Sequence, residues 1–141
     1  LEFLLLLYDR LFGRVIPTRF AMFAAIGALG IAVHMAVFWA AYGLPGTSFL
    51  AAQITATLSA MTFNFFLNNA LTYRERRLHG ARRLLLGWLG FCAVCSVGAF
   101  ANVGVAAFLF SGRYARETLS ALAGIVIGAV WNYALSRRFV W

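Results

Sequence analysis

Residues Ser48–Thr72 read SFLAAQITATLSAMTFNFFLNNALT, an unbroken run without Asp, Glu, Lys or Arg. As a helix rising 1.5 Å per residue this run is about 37 Å long, enough to cross a hydrocarbon core of about 30 Å. Three more stretches share the property: Arg19–Tyr42, Leu84–Phe110 and Thr118–Ser136 hold no charged residue after their first position. Together they predict an all-α membrane protein of four transmembrane helices. The composition excludes a soluble globule, because 63% of the 141 residues are hydrophobic and 11% charged, against about 25% charged in soluble domains. A chain this short has too little interior to keep so much apolar material dry.

The run is not uniformly apolar. At about 100° per residue, Gln53, Thr57, Asn64 and Asn68 fall within about 60° of one another, a single stripe along the helix. An amide facing lipid would leave its donors and acceptors unpaired, so the stripe must face protein or water. The other spans contribute His34, Asn102 and Asn132. Two roles stay open for this set: interhelical hydrogen bonding that holds helices together, or a polar path for a headgroup between them. His34 has no carboxylate nearby to share a proton with, so it reads as a packing residue.

The connections set the orientation. Gly43–Ser48 is a tight uncharged turn, Arg74–Arg83 is strongly basic, and Ser111–Glu117 is short and nearly balanced. All twelve basic residues are Arg, against four acids, for a net charge of +8. Arg10, Arg14, Arg19, Arg74, Arg76, Arg77, Arg82, Arg83, Arg137 and Arg138 fall on one side of the four spans and Arg113 and Arg116 on the other. The positive-inside rule then puts both termini in the cytoplasm. Because the arginines cluster between apolar stretches, they point to anionic lipid and not to nucleic acid.

Leu1–Ile16 is apolar but interrupted by Glu2, Asp9, Arg10 and Arg14, which would cost about 2.5 to 3.5 kcal/mol each for Asp or Arg near midplane. It is expected to lie on the cytoplasmic leaflet as an amphipathic helix, with Leu4, Tyr8, Leu11 and Val15 toward lipid. Pro17 ends it, and Thr18 is placed to cap the first span. The organisation expected is a juxtamembrane segment, 1–17, and a four-helix domain, 18–141. Cys92 and Cys95 sit in an apolar run without further ligands around them, which reads as small-residue packing and not as a metal site. No paired carboxylates, no nucleophile with a base and no Gly-rich phosphate loop is present, so no catalytic residue and no cofactor is expected within these residues. Gly124-Ile-Val-Ile-Gly128 permits close helix approach, within the chain or in a homo-oligomer.

The end of the quoted run has a second copy. Asn64-Phe-Phe-Leu-Asn-Asn-Ala-Leu-Thr-Tyr73 and Asn132-Tyr-Ala-Leu-Ser-Arg-Arg-Phe-Val-Trp141 align at an offset of 68, matching Asn64 with Asn132, Phe65 with Tyr133, Leu67 with Leu135 and Tyr73 with Trp141. Both run from the membrane to the same side, so the spans are expected to form two helical hairpins related as a parallel repeat.

These features, with Arg19-Phe20-x-x-Phe23-x-x-x-Gly27 opening the first span, resemble the GtrA-like family, four-helix membrane proteins of polysaccharide and glycolipid biosynthesis. The resemblance runs from Arg19 to Trp141. It implies an inner-membrane protein that binds polyprenyl-phosphate-linked sugars and flips them across the bilayer, or the membrane domain of a polyprenyl-phosphate (dolichyl-phosphate) glycosyltransferase. The lipid phosphate is then expected on Asn68, Asn69, Arg74, Arg137 and Arg138, since Arg grips phosphate bidentately. Where the family carries Asn-Arg, this chain has Asn68-Asn69, while the corresponding Arg of the second copy is present as Arg137. The leader and the start at Leu1 resemble fused members, which implies a nucleotide-sugar-using domain upstream, fused or as a partner. The alternative is a membrane anchor that moves nothing. A proton-coupled cation exporter of similar size would need a membrane-buried carboxylate, and the spans hold none.

Overall fold

A computed structural model describes residues 17–112 and 117–141. It places Thr18–Tyr42 in helix α1 and Phe49–Leu67 in α2, which runs on into a π-helical turn, Asn68–Thr72, and a 3₁₀ turn, Arg74–Arg76. Helix α3 is Ala81–Ser111 and α4 is Glu117–Phe139. No strand occurs among the described residues. The chain divides into two compact units, one ending at Arg77 and the other beginning at Leu78, so each expected hairpin is a unit of its own. Three helical stretches are long and apolar enough to cross a membrane, Thr18–Tyr42, Phe49–Thr72 and Ala81–Phe100, and α4 is a fourth helix. The amphipathic helix expected over residues 1–16 lies outside the described residues, as do Arg113 and Arg116.

In the first hairpin, the Pro17 carbonyl accepts the backbone N–H groups of Phe20 and Ala21 at 2.9 and 3.1 Å. The N-cap position therefore falls on Pro17, and Thr18, expected to cap the span, is its first helical residue. The extended backbone of proline presents its carbonyl to the first turn without a capping side chain. At the other end Ser48 does cap, its Oγ accepting the Ala51 N–H at 3.2 Å. The turn between the helices uses Gly46 at φ 82°, a left-handed conformation that costs glycine little.

Small side chains let the two helices close. Ala52 and Ala56 are fully buried against Phe38, with Val37 and Ala41 packed around them. In lipid no hydrophobic drive holds one helix to another, so contact of this kind stabilises through dispersion between close surfaces. Phe38 also stacks on Tyr42 and meets Trp39 and Phe49 edge to face, with ring centroids 5.3 to 5.5 Å apart.

The second hairpin, α3 packed on α4, repeats part of the first hairpin's burial pattern. Its buried Phe91, Val94, Gly98, Gly124, Ser136 and Val140 stand 68 residues after the buried Phe23, Ile26, Gly30, Ala56, Asn68 and Thr72. Gly124 and Gly128 are both buried, and α3 is the element packed on α4 among the described residues. The GxxxG motif therefore serves packing inside the hairpin. Phe91 holds the chain end by an edge-to-face contact with Trp141 at 5.8 Å.

Candidate functional site

The polar stripe of α2 turns toward α1. Thr57 Oγ1 lies 3.5 Å from His34 Nε2, and one helical stretch further on, the Asn64 amide lies over Gly30. A Cβ on Gly30 would fall 2.8 Å from the Asn64 Cγ and overlap the amide. The second hairpin holds the same contact, Asn132 over Gly98, where a Cβ would lie 2.6 Å from Cγ. In both, the side-chain oxygen is buried without an N–H or O–H donor among the described residues. In each pair this oxygen is the amide atom nearest to where a Cβ would stand. The recurrence at an offset of 68 makes the Asn–Gly pair a feature of the repeat. Gln53 is half-buried. Asn102 lies on α3, in a stretch whose side chains fall outside the described residues.

Beyond Asn64 the helix widens. The Asn68 Nδ2 donates to the Asn64 carbonyl at 2.9 Å, and Thr72 Oγ1 donates to the Asn68 Oδ1 at 2.8 Å. Both functional groups of the Asn68 amide are thereby engaged, and Asn68, Asn69 and Thr72 are all buried. The turn closes with Tyr73 N–H donating to the Asn68 carbonyl at 2.9 Å, a bond five residues back, and such wide turns gather at functional positions in helices. The second copy closes alike, Trp141 N–H donating to the Ser136 carbonyl at 3.1 Å. Here, however, the helix stays α through Phe139, and Arg137, the counterpart of Asn69, is exposed beside the exposed Arg138. Cations in the last turn of a helix sit favourably against its carbonyl ends.

Arg74 is exposed just after the π turn. Its neighbour Glu75 pairs with Arg19 at the start of α1. Arg137 and Arg138 have no ion pair among the described residues. The structure thus brings Asn64, Asn68, Asn69 and Arg74 to one end of the first hairpin, and Asn132, Arg137 and Arg138 to one end of the second. His34 and Thr57 meet deeper in the first. Cys92 and Cys95 are unbridged and half-buried, and no three metal-ligating side chains gather among the described residues.

Sequence reasoning missed three participants: Glu75, Gly98 and Ser136. The last two were reachable, since adding 68 to Gly30 and Asn68 gives Gly98 and Ser136. Nothing in the pattern of Arg74–Arg83 signals that Glu75 pairs across the hairpin.

The chain has a match among known families. A family model described as GtrA/DPMS, transmembrane domain, covers residues 22–141. The chain belongs to that family. A comparison with curated proteins finds no match. Membership makes the GtrA/DPMS domain described here part of a multi-pass membrane protein, a membrane component of glycolipid or polysaccharide biosynthesis.

Proposed function

We propose that this GtrA/DPMS domain spans the inner membrane four times with both termini cytoplasmic, binds polyprenyl-phosphate-linked sugars by their phosphate, and translocates them between leaflets. The observation that carries the reading is the end of α4. Ser136 and Val140 are buried while Arg137 and Arg138 stand exposed without an ion pair among the described residues. An exposed Arg pair at the rim of an apolar hairpin suits a lipid whose tail lies in hydrocarbon and whose phosphate stays at the interface. In the first hairpin the same role falls to Arg74, exposed just after the π turn, with Asn68 and Asn69 in the turn itself.

Lipid retention in native mass spectrometry tests this. The parent should hold polyprenyl phosphate, or a polyprenyl-phosphate sugar, through detergent removal in preference to phosphatidylglycerol, and the Arg137→Ala/Arg138→Ala variant should lose about ten-fold or more of that preference, the scale of one charge-assisted phosphate contact of about 1.5 to 3 kcal/mol. Equal retention of all three lipids by the parent would refute it.

A second reading, a membrane anchor for a glycosyltransferase domain or partner, is favoured by a different observation. Thr57 and Asn68 bond inside the first hairpin and Asn64 packs on Gly30 there, as structural residues would. On that reading substitution of these residues lowers stability and leaves lipid-linked sugar levels per folded protein unchanged.

A further inference from the structure

The Arg74–Arg83 segment carries five arginines and one acid, Glu75. A carboxylate so placed has Arg74, Arg76 and Arg77 beside it in sequence, yet it pairs with Arg19, 56 positions away on α1. The contact joins the first residues of α1 to the turn that leaves α2, across the arginine-bearing end of the first hairpin. Both side chains remain open to solvent, Arg19 39% and Glu75 65% exposed. An anion arriving from outside can therefore reach Arg19 without any helix moving. Carboxylate and phosphate present the same pair of acceptor oxygens to a guanidinium, so the two compete for one fork. The second hairpin has no such device, because the counterpart of Arg19 is Gly87.

We propose that Arg19 is a further phosphate-binding residue and that Glu75 is its built-in competitor, a carboxylate that holds the guanidinium until a phosphate displaces it. This rests on the reading of the domain as a binder of lipid phosphates. The ligand class is an anionic phosphate, carried by a polyprenyl lipid or free in solution. Because exposed ion pairs are weak, displacement is reversible. Glu75 then lowers the affinity of Arg19 for an arriving anion by the modest factor that an exposed pair can withhold.

The test uses the parent, Glu75→Gln, Arg19→Gln and the double variant in phosphatidylcholine nanodiscs containing polyprenyl phosphate, with native mass spectrometry reporting retained lipid and Arg137→Ala/Arg138→Ala run alongside. Glu75→Gln keeps the shape of the side chain and removes its charge. It should raise retention roughly two- to five-fold, the range an exposed pair can withhold. Arg19→Gln should change the parent little and abolish the gain in the double variant. Inorganic phosphate added to Glu75→Gln separates the two sources: loss of the gain marks recognition of phosphate alone, and persistence marks recognition of the lipid-borne group. The proposal is overturned if Glu75→Gln retains no more than the parent while Arg137→Ala/Arg138→Ala still loses lipid, an outcome that leaves the lipid-phosphate reading standing. Absence of retention in every protein, the parent included, overturns both. Circular dichroism of each variant confirms that the helices are intact, and a gain in Glu75→Gln cannot arise from unfolding.

Discussion

Two glycines decide how closely each hairpin can shut. At Gly30 and Gly98 an asparagine amide from the facing helix occupies the space a Cβ would need. Gly98→Ala should therefore cost about 1 to 3 kcal/mol, the usual range for overpacking a close contact, read as a lower unfolding midpoint in detergent. The cause can be isolated with Asn132→Ala, which vacates the space: Gly98→Ala/Asn132→Ala should be less destabilised than the sum of the two single changes. The same relation is expected for Gly30 and Asn64, and simple additivity in both pairs would show that the amides are not what the glycines accommodate. Thr72 is a second sensitive position. Thr72→Val keeps the volume but leaves the buried Asn68 Oδ1 without its donor, at a cost of about 1 to 3 kcal/mol.

At the scale of the element, the charge-free runs located the helices to within a few residues, and the 68-residue offset marked the repeat from two ten-residue stretches alone. Hydrophobic runs of this length have few other physical solutions in lipid, because every backbone group must be paired within its own segment. What stayed hidden was the change of helix type. Nothing in Asn68–Thr72 forbids a continuous α-helix, and the wider turn arises where the Asn68 amide takes one carbonyl upstream and one hydroxyl downstream. Asn68 and Asn69 read from the sequence as phosphate contacts, and the fold adds what a sequence does not show, that the Asn68 amide also bonds one carbonyl and one hydroxyl of its own helix. Hydrogen exchange reports on this turn: the Tyr73 N–H, bonded to the Asn68 carbonyl, should exchange faster in Thr72→Val while the N–H groups in the middle of α2 keep their protection. Uniform loss of protection along α2 would mean that the turn has no stability of its own.

For the whole molecule, the duplication is the organising fact. Each hairpin carries the same Asn–Gly contact, yet position 69 of the first copy is a buried Asn and position 137 of the second an exposed Arg. A shared packing plan with unlike ends lets one copy present its arginines openly and the other hold Arg19 against Glu75. The orientation belongs to this scale as well. In a Cys92→Ser/Cys95→Ser background, single cysteines at Gly46 and at Gly80 should react with an impermeant thiol reagent from opposite sides of a sealed vesicle, and labelling of both from one side would refute the hairpin topology. The central claim, that this domain carries a phosphate-linked sugar lipid across the bilayer, is tested most directly in reconstituted vesicles. A reporter polyprenyl-phosphate sugar placed in one leaflet should reach the other faster than in protein-free vesicles, and Arg137→Ala/Arg138→Ala should abolish most of that gain. Crossing no faster than in protein-free vesicles, with the parent folded and retaining the lipid, would contradict translocation and leave a membrane domain that binds its lipid without moving it.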